Sequence, residues 1–255
     1  MENNTVFMDN FQSQNFKICL GYDTDFLRFS LLEPIYIDPL VPPHLGVVGA
    51  SGSGKTYLLI RILGELSLHK EVTFIIGDYK GIDFRWLQGC PNFYQYLDAS
   101  AAVEKAYSIL EERIIHTPFS LNYSPVCCLI DEWASGISML EKKKADELKT
   151  KMAMLLMLGR GVSIFIILGL QRLDAENFPK GARDNIGNIV LLGSPSIESK
   201  RMIAPSYAEK MVPQSRGKGY LFTVGKEPRK LTVPSCKYPQ EIQERILKAL
   251  ERNAD

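Results

Sequence analysis

The stretch from Pro43 to Thr56, PHLGVVGASGSGKT, constrains this chain more than any other. An apolar run, LGVV, leads into glycines alternating with small residues. KTYLLIRILGELSLHK follows, with Leu58, Leu59, Ile62, Leu63 and Leu66 on one helical face. Gly49–Thr56, GASGSGKT, matches the pattern G-x-x-x-x-G-K-[ST] in full, and in the strand–loop–helix order that gives the pattern its meaning. Gly49, Ala50, Ser51, Gly52, Ser53 and Gly54 let the backbone curl until successive N–H groups point at phosphate oxygens. The helix N-terminus adds partial positive charge. Lys55 places a point charge on the β/γ phosphates of ATP, and the Thr56 hydroxyl is the expected Mg²⁺ ligand.

A phosphate loop alone implies nucleotide binding. Hydrolysis also needs an acid for the metal and a group that handles water. Val126–Glu132, VCCLIDE, ends a buried strand with both residue types. Asp131 is expected to hold Mg²⁺ through water, and Glu132 to take a proton from the attacking water. In IFIILGLQR an apolar strand ends on Gln171, placed to orient that water or to sense the γ-phosphate.

Apolar strand patterns alternate with helical ones along the chain, which defines an α/β fold with a mostly parallel central sheet flanked by helices. The strands are HLGVVGA, EVTFIIGD, PVCCLIDE, VSIFIILGLQ and NIVLLG. The helices include SAAVEKAYSILEERIIHT, with Pro118 just past its end, and a long one beginning LEKKKADELKTK. GYLFTVG and RKLTVPS read as a closing hairpin. Residues 1–15 read as a loose tail, 16–40 as a small flanking β element, 41–240 as the core of a single domain and 241–255 as a terminal helix.

With 30 Lys and Arg against 29 Asp and Glu, the chain has no global basic signature of nucleic-acid binding, which leaves only a locally basic channel. Its five cysteines contain no C-x-x-C, and the three histidines are far apart, so no zinc or disulfide framework is legible. Reduced thiols in a cytoplasm fit this composition, with Cys127 and Cys128 as core filling. The apolar runs fall well short of the ~20 residues of a membrane span, and the N-terminus lacks the features of a signal peptide. Membrane association is therefore expected only through a partner. Lys142, Lys143, Lys144, Lys149 and Lys151 read as a solvated helix face, with phosphate contact in a pore as the alternative, and the MAMLLML stretch as core or subunit contact; Lys80, Arg85 and Trp86 mix basic and aromatic character suited to DNA contact, with Trp86 equally suited to the core.

Taken together, these stretches resemble the motor domain of the FtsK/SpoIIIE DNA translocases, within the FtsK–HerA group of RecA-like P-loop ATPases. The match runs in order through PHLGVVGASGSGKT, GDYKGIDF, LEERI, CCLIDEWA, GRGVSIFIILGLQR, RDNIGNIVLL and SRGKGYLF, over about residues 17–245. The resemblance implies a RecA-like core and a homohexameric ring that moves double-stranded DNA with ATP. It implies roles in DNA transfer or segregation for a chromosome, plasmid, phage or mobile element, with a membrane-bound or element-encoded partner. It further implies sites shared between subunits, with an arginine reaching in from the neighbour. Arg160 matches the arginine eleven residues before the glutamine in related coupling ATPases and is the expected trans finger, with Arg183, Arg201 and Arg216 in reserve. Tyr79, Leu170 and Leu173 depart from the family pattern, and an anchor, a linker and a winged-helix DNA reader are expected to be absent. Two other readings stand beside the DNA pump: a protein-export motor of the type VII secretion class, and a nucleotide-binding structural subunit, against which Lys55, Asp131 and Glu132 argue.

Overall fold

The four residues of the strand before the phosphate loop, LGVV, are all buried. Burial on both faces is the mark of an interior strand in a parallel sheet covered on both sides. The computed structural model describes residues 17–115 and 123–252. The expected loose tail and Pro118 lie outside them. Ten strands run in chain order as β1 Ile18–Asp23, β2 Pro34–Ile37, β3 Leu45–Val48, β4 Thr73–Asp78, β5 Phe93–Gln95, β6 Val126–Asp131, β7 Ile164–Leu170, β8 Asn188–Leu192, β9 Lys218–Thr223 and β10 Arg229–Thr232. The α-helices are α1 Thr24–Leu27, α2 Lys55–Leu66, α3 Ser100–Ile115, α4 Trp133–Ser138, α5 Lys142–Leu158, α6 Ile197–Ile203 and α7 Pro239–Arg252.

All ten strands form one sheet in the order β2-β1-β10-β9-β8-β3-β7-β6-β4-β5. The six from β8 to β5 are parallel, and β9, β10, β1 and β2 continue the sheet antiparallel. The expected closing hairpin is β9–β10. The expected flanking β element is β1–β2, hydrogen-bonded to that hairpin and tied to it by Arg229–Asp23 (3.0 Å) and Lys230–Asp25 (2.9 Å) ion pairs.

Helices cover both faces. Leu58, Leu59, Ile62, Leu63 and Leu66 of α2 pack with Ile246, Ala249 and Leu250 of α7 on one face, while α3 and α5 cover the other. Cys127 and Cys128 are both free and fully buried, one in each core, because side chains alternate along a strand. Gly64 lets α2 and α7 meet: a Cβ there would lie 2.6 Å from the Ile242 side chain. Lys142, Lys143 and Lys144 are exposed as expected, and the buried residues of the methionine-rich stretch, Met152, Ala153, Leu155 and Leu156, are core.

His44 joins the layers at the lower end of β3. Its backbone is left-handed (φ 65°), and its carbonyl accepts from the Asn188 N–H (3.3 Å) on the β8 side. The buried ring serves the β7 side. Nδ1 accepts from the Ile166 N–H (3.0 Å), so the neutral Nε2–H donates to the Leu156 carbonyl (3.0 Å) near the end of α5. Burial lowers the His44 pKa from 6.5 to about 4, the backbone bond to Leu156 opposing this. Between these values the unfolded chain binds a proton that the folded chain does not, so His44 costs stability as pH falls from 6.5 to 4, by about 3 kcal/mol in all. Below pH 4 its contribution is constant. We expect His44→Ala to cost about 2–4 kcal/mol at pH 7.5 in urea unfolding, since it strands a buried N–H and a buried carbonyl and leaves a cavity.

Candidate nucleotide site

Parallel strands bring their C-terminal ends to one edge, and every strand that carries a candidate residue ends there. Pairing sets Val48 beside Leu170 and Asp78 beside Asp131, so Gly49, Asp78, Asp131 and Gln171 converge on that edge. Strand β7 separates β3 from β6. At ~5 Å per strand this sets the acids about 10 Å from the phosphate-loop strand, which is room for a phosphate and a water.

The loop itself is held from three sides. The Gly49 N–H donates to the Leu170 carbonyl (3.0 Å), next to Gln171. The Ser53 N–H donates to Ala50 (3.1 Å), and the Ser53 carbonyl accepts from the Gly217 N–H (2.9 Å). Gly52 and Gly54 have φ of 81° and 99°, a left-handed conformation that side chains resist. Gly54 caps α2, which leaves the first N–H groups of the helix facing outward beside Lys55.

Lys55 is 6% exposed, and its Nζ lies 2.6 Å from Glu132 Oε1 and 3.9 Å from Asp131 Oδ1. Glu132 is in turn held by Gln171, whose Nε2 donates to Oε2 (3.2 Å), and by the Ser135 hydroxyl (3.4 Å). Its backbone is left-handed (φ 58°, ψ 40°), an unfavourable state for a residue with a side chain, where β6 breaks sharply into α4. Asp131 is fully buried. Oδ1 accepts from the Glu132 N–H (3.0 Å), while Oδ2 has no hydrogen-bond partner among the described residues. Burial pushes its carboxyl up to about 7, Lys55 opposing and Glu132 and Asp78 adding to the rise. Gly169 of β7 makes room for this carboxylate, because a Cβ there would overlap Asp131 Oδ1.

The structure therefore brings Lys55, Asp131, Glu132 and Gln171 together beside the loop 49–54. It also adds two acids that sequence reading did not single out. Asp83 Oδ2 accepts from the Thr56 hydroxyl at 3.5 Å and from Lys80 Nζ at 2.8 Å. Asp78 is buried and accepts from the N–H groups of Lys80 and Phe84, closing the loop that carries Asp83; burial raises its pKa. Tyr79, where the family pattern has proline, is buried against Gly136 of α4, and Leu170 and Leu173 are core residues.

The arginines are elsewhere or otherwise engaged. Arg160 is exposed in the turn Gly159–Val162, at the start of β7 and so roughly 20 Å of strand from Gln171. Arg183 donates to the Leu173 carbonyl (3.1 Å), and Arg201 pairs with Glu209 (2.7 Å). Arg216 alone of the four lies beside the phosphate loop of its own chain.

The chemistry of these donors fits Mg²⁺. Thr56 and Asp131 offer hard oxygens, and the unpartnered Asp131 Oδ2 is a buried acceptor in need of a cation or of a water bound to one. No cluster of three His, Cys, Asp or Glu side chains poised for a metal occurs among the described residues.

Glycine loop, intervening strand and paired acids define a P-loop ATPase fold of the RecA-like type. Residues 31–154 match the family model described as "Helicase HerA, central domain". The chain is 27% identical over 197 residues to the Ftsk domain-containing protein YdcQ of Bacillus subtilis (strain 168), covering 70% of this chain and 40% of that protein. It is 25% identical over 241 residues to the DNA translocase FtsK of Treponema pallidum (strain Nichols), covering 83% and 28%. Its fold matches the cytoplasmic domain of the Thermomonospora curvata type VII secretion ATPase EccC with a TM-score of 0.68 at 20% identity, covering 92% of this chain and 31% of that one. Over the residues these matches cover, the chain is similar to ATPases of the FtsK–HerA group. It spans less than half the length of the curated relatives it matches.

Proposed function

We propose that this chain is an ATP-driven motor of the FtsK type, working as a homohexameric ring on double-stranded DNA in the cytoplasm. The observation that carries the reading is the Lys55–Glu132–Gln171 chain of contacts beside a complete phosphate loop, in a sequence whose relatives include a DNA translocase. Lys55 is paired with Glu132. Triphosphate in the loop competes for that ammonium and frees the carboxylate. Glu132 then takes a proton from a water that Gln171 orients, as Lys55 and the loop N–H groups neutralise charge growing on the γ-phosphoryl oxygens. Thr56 and Asp131 are the residues that would hold Mg²⁺, which would supply charge screening for the phosphates.

Arg160 is the residue we assign to the neighbouring subunit's site, since it is exposed and distant from its own. No helix among the described residues is long and apolar enough to cross a membrane, so recruitment to one would rest on a partner or on further sequence. The likeness to a type VII secretion ATPase supports a second reading, a motor for protein export. Particle size tests the assembly. We expect growth from monomer towards hexamer when an ATP analogue and linear duplex DNA are both present. Growth with a helical export substrate and none with DNA would favour the second reading.

A further inference from the structure

We propose that Arg216 binds the phosphate chain of the nucleotide held by its own subunit, as a cis counterpart to Lys55. This rests on the reading of residues 49–56 as a nucleotide loop. Arg216 lies in the turn that leads into β9, 162 positions from Gly54 in sequence, yet that turn is built onto the phosphate loop. The Gly217 N–H donates to the Ser53 carbonyl (2.9 Å), and the Gly217 carbonyl accepts from Val233 (2.8 Å). Gly193 brackets the turn, accepting from Gln214 (3.1 Å) and donating to Lys218 (2.8 Å). A Cβ on Gly54 would lie 3.2 Å from Gly217 N and 3.8 Å from Arg216 Cγ. The left-handed glycine that caps α2 thus faces the stem of the arginine.

From Cγ the guanidinium reaches roughly 4–5 Å further, at ~1.5 Å per bond. That length is enough for the guanidinium to reach a ligand held beside Gly54. Arg216 is exposed and makes no ion pair or hydrogen bond among the described residues, whereas Arg183, Arg201 and Arg229 are all engaged. A free guanidinium fixed at its base beside a ring of N–H donors suits an oxyanion ligand, which it can grip with two parallel N–H bonds. Lys55 supplies one positive charge against the several negative charges of a nucleoside triphosphate, and Arg216 supplies a second. Its place against its own loop separates it from a trans finger, which has to be remote from the site of its own chain.

Titration of a fluorescent ATP analogue into the protein at several concentrations, with ADP and AMP as competitors, tests this. We expect Arg216→Ala to weaken the analogue and ADP about 5–20-fold at every protein concentration, AMP much less, and Arg216→Lys to recover part of the loss. The melting temperature should not move, since the side chain is exposed. Unchanged affinity for the analogue and ADP overturns the proposal. So does a loss that appears only at protein concentrations where subunits associate, which is the behaviour of a trans residue. Lys55→Ala in the same assay separates this inference from the reading beneath it. If Lys55→Ala binds as well as wild type, residues 49–56 are not the nucleotide site and both fall. If Lys55→Ala is weak and Arg216→Ala is not, only the role of Arg216 falls.

Discussion

Glu132→Gln should lower ATP turnover by about 10²–10⁴-fold, the range spanned by loss of a general base, while nucleotide still binds. The amide keeps the shape of the carboxylate and can still accept from Gln171 and Ser135, whose donors reach Oε2 at 3.2 and 3.4 Å. It cannot take a proton. It also cannot hold Lys55 as the carboxylate does at 2.6 Å, so the ammonium is freer to meet phosphate and affinity should hold or improve. Single-turnover hydrolysis with parallel binding of a fluorescent analogue reads both effects. Turnover within threefold of wild type would remove Glu132 from the role of base.

Asp131→Asn should stabilise the nucleotide-free protein while cutting turnover by at least about 10²-fold, as expected when a site loses an essential electrostatic element. The folded carboxyl titrates at about 7 against 3.8 unfolded. Across that range the folded chain holds a proton the unfolded chain has lost, so the stability this gives at low pH disappears as pH rises from 3.8 to about 7. The total is about 4 kcal/mol for the charge alone, less whatever the unpaired asparagine amide costs. The gain of Asp131→Asn over wild type should therefore grow across that range and level off above it. His44 slopes the other way between pH 4 and 6.5, so the two contributions oppose each other there and only the differences between variant and wild type resolve each group. Urea unfolding at pH 5 and pH 8 suffices. A variant no more stable than wild type at pH 8 would mean that the buried carboxylate is not strained.

Much of this site was legible because its signals are local. Gly49–Thr56 carries its meaning within eight residues, and Asp131, Glu132 and Gln171 announce themselves as acids or amide at the ends of apolar runs. What stayed hidden depends on residues far apart in sequence. Gly169 reads as one more small residue until β7 is laid beside β6 and Asp131 needs its space. His44 belonged to a recognisable PHL lead, yet its work is to accept from Ile166, 122 residues on, with a left-handed backbone that no periodicity reports. Asp83 reaches Thr56 only because Asp78 folds the intervening loop. Strand β5 and helix α4 were too short, at three and six residues, to show a period. Arg216 appeared only as one of several arginines, since nothing in a linear reading connects it to Gly54.

A motor of this kind couples its ATP hydrolysis to duplex DNA. The direct measurement is steady-state ATP turnover of the wild-type chain with and without linear double-stranded DNA, with Glu132→Gln as the blank. Turnover should rise several-fold with DNA, in a salt-sensitive way, and vanish in Glu132→Gln. Turnover that is abolished in Glu132→Gln yet indifferent to DNA, at a salt concentration where DNA also fails to bind, would contradict it.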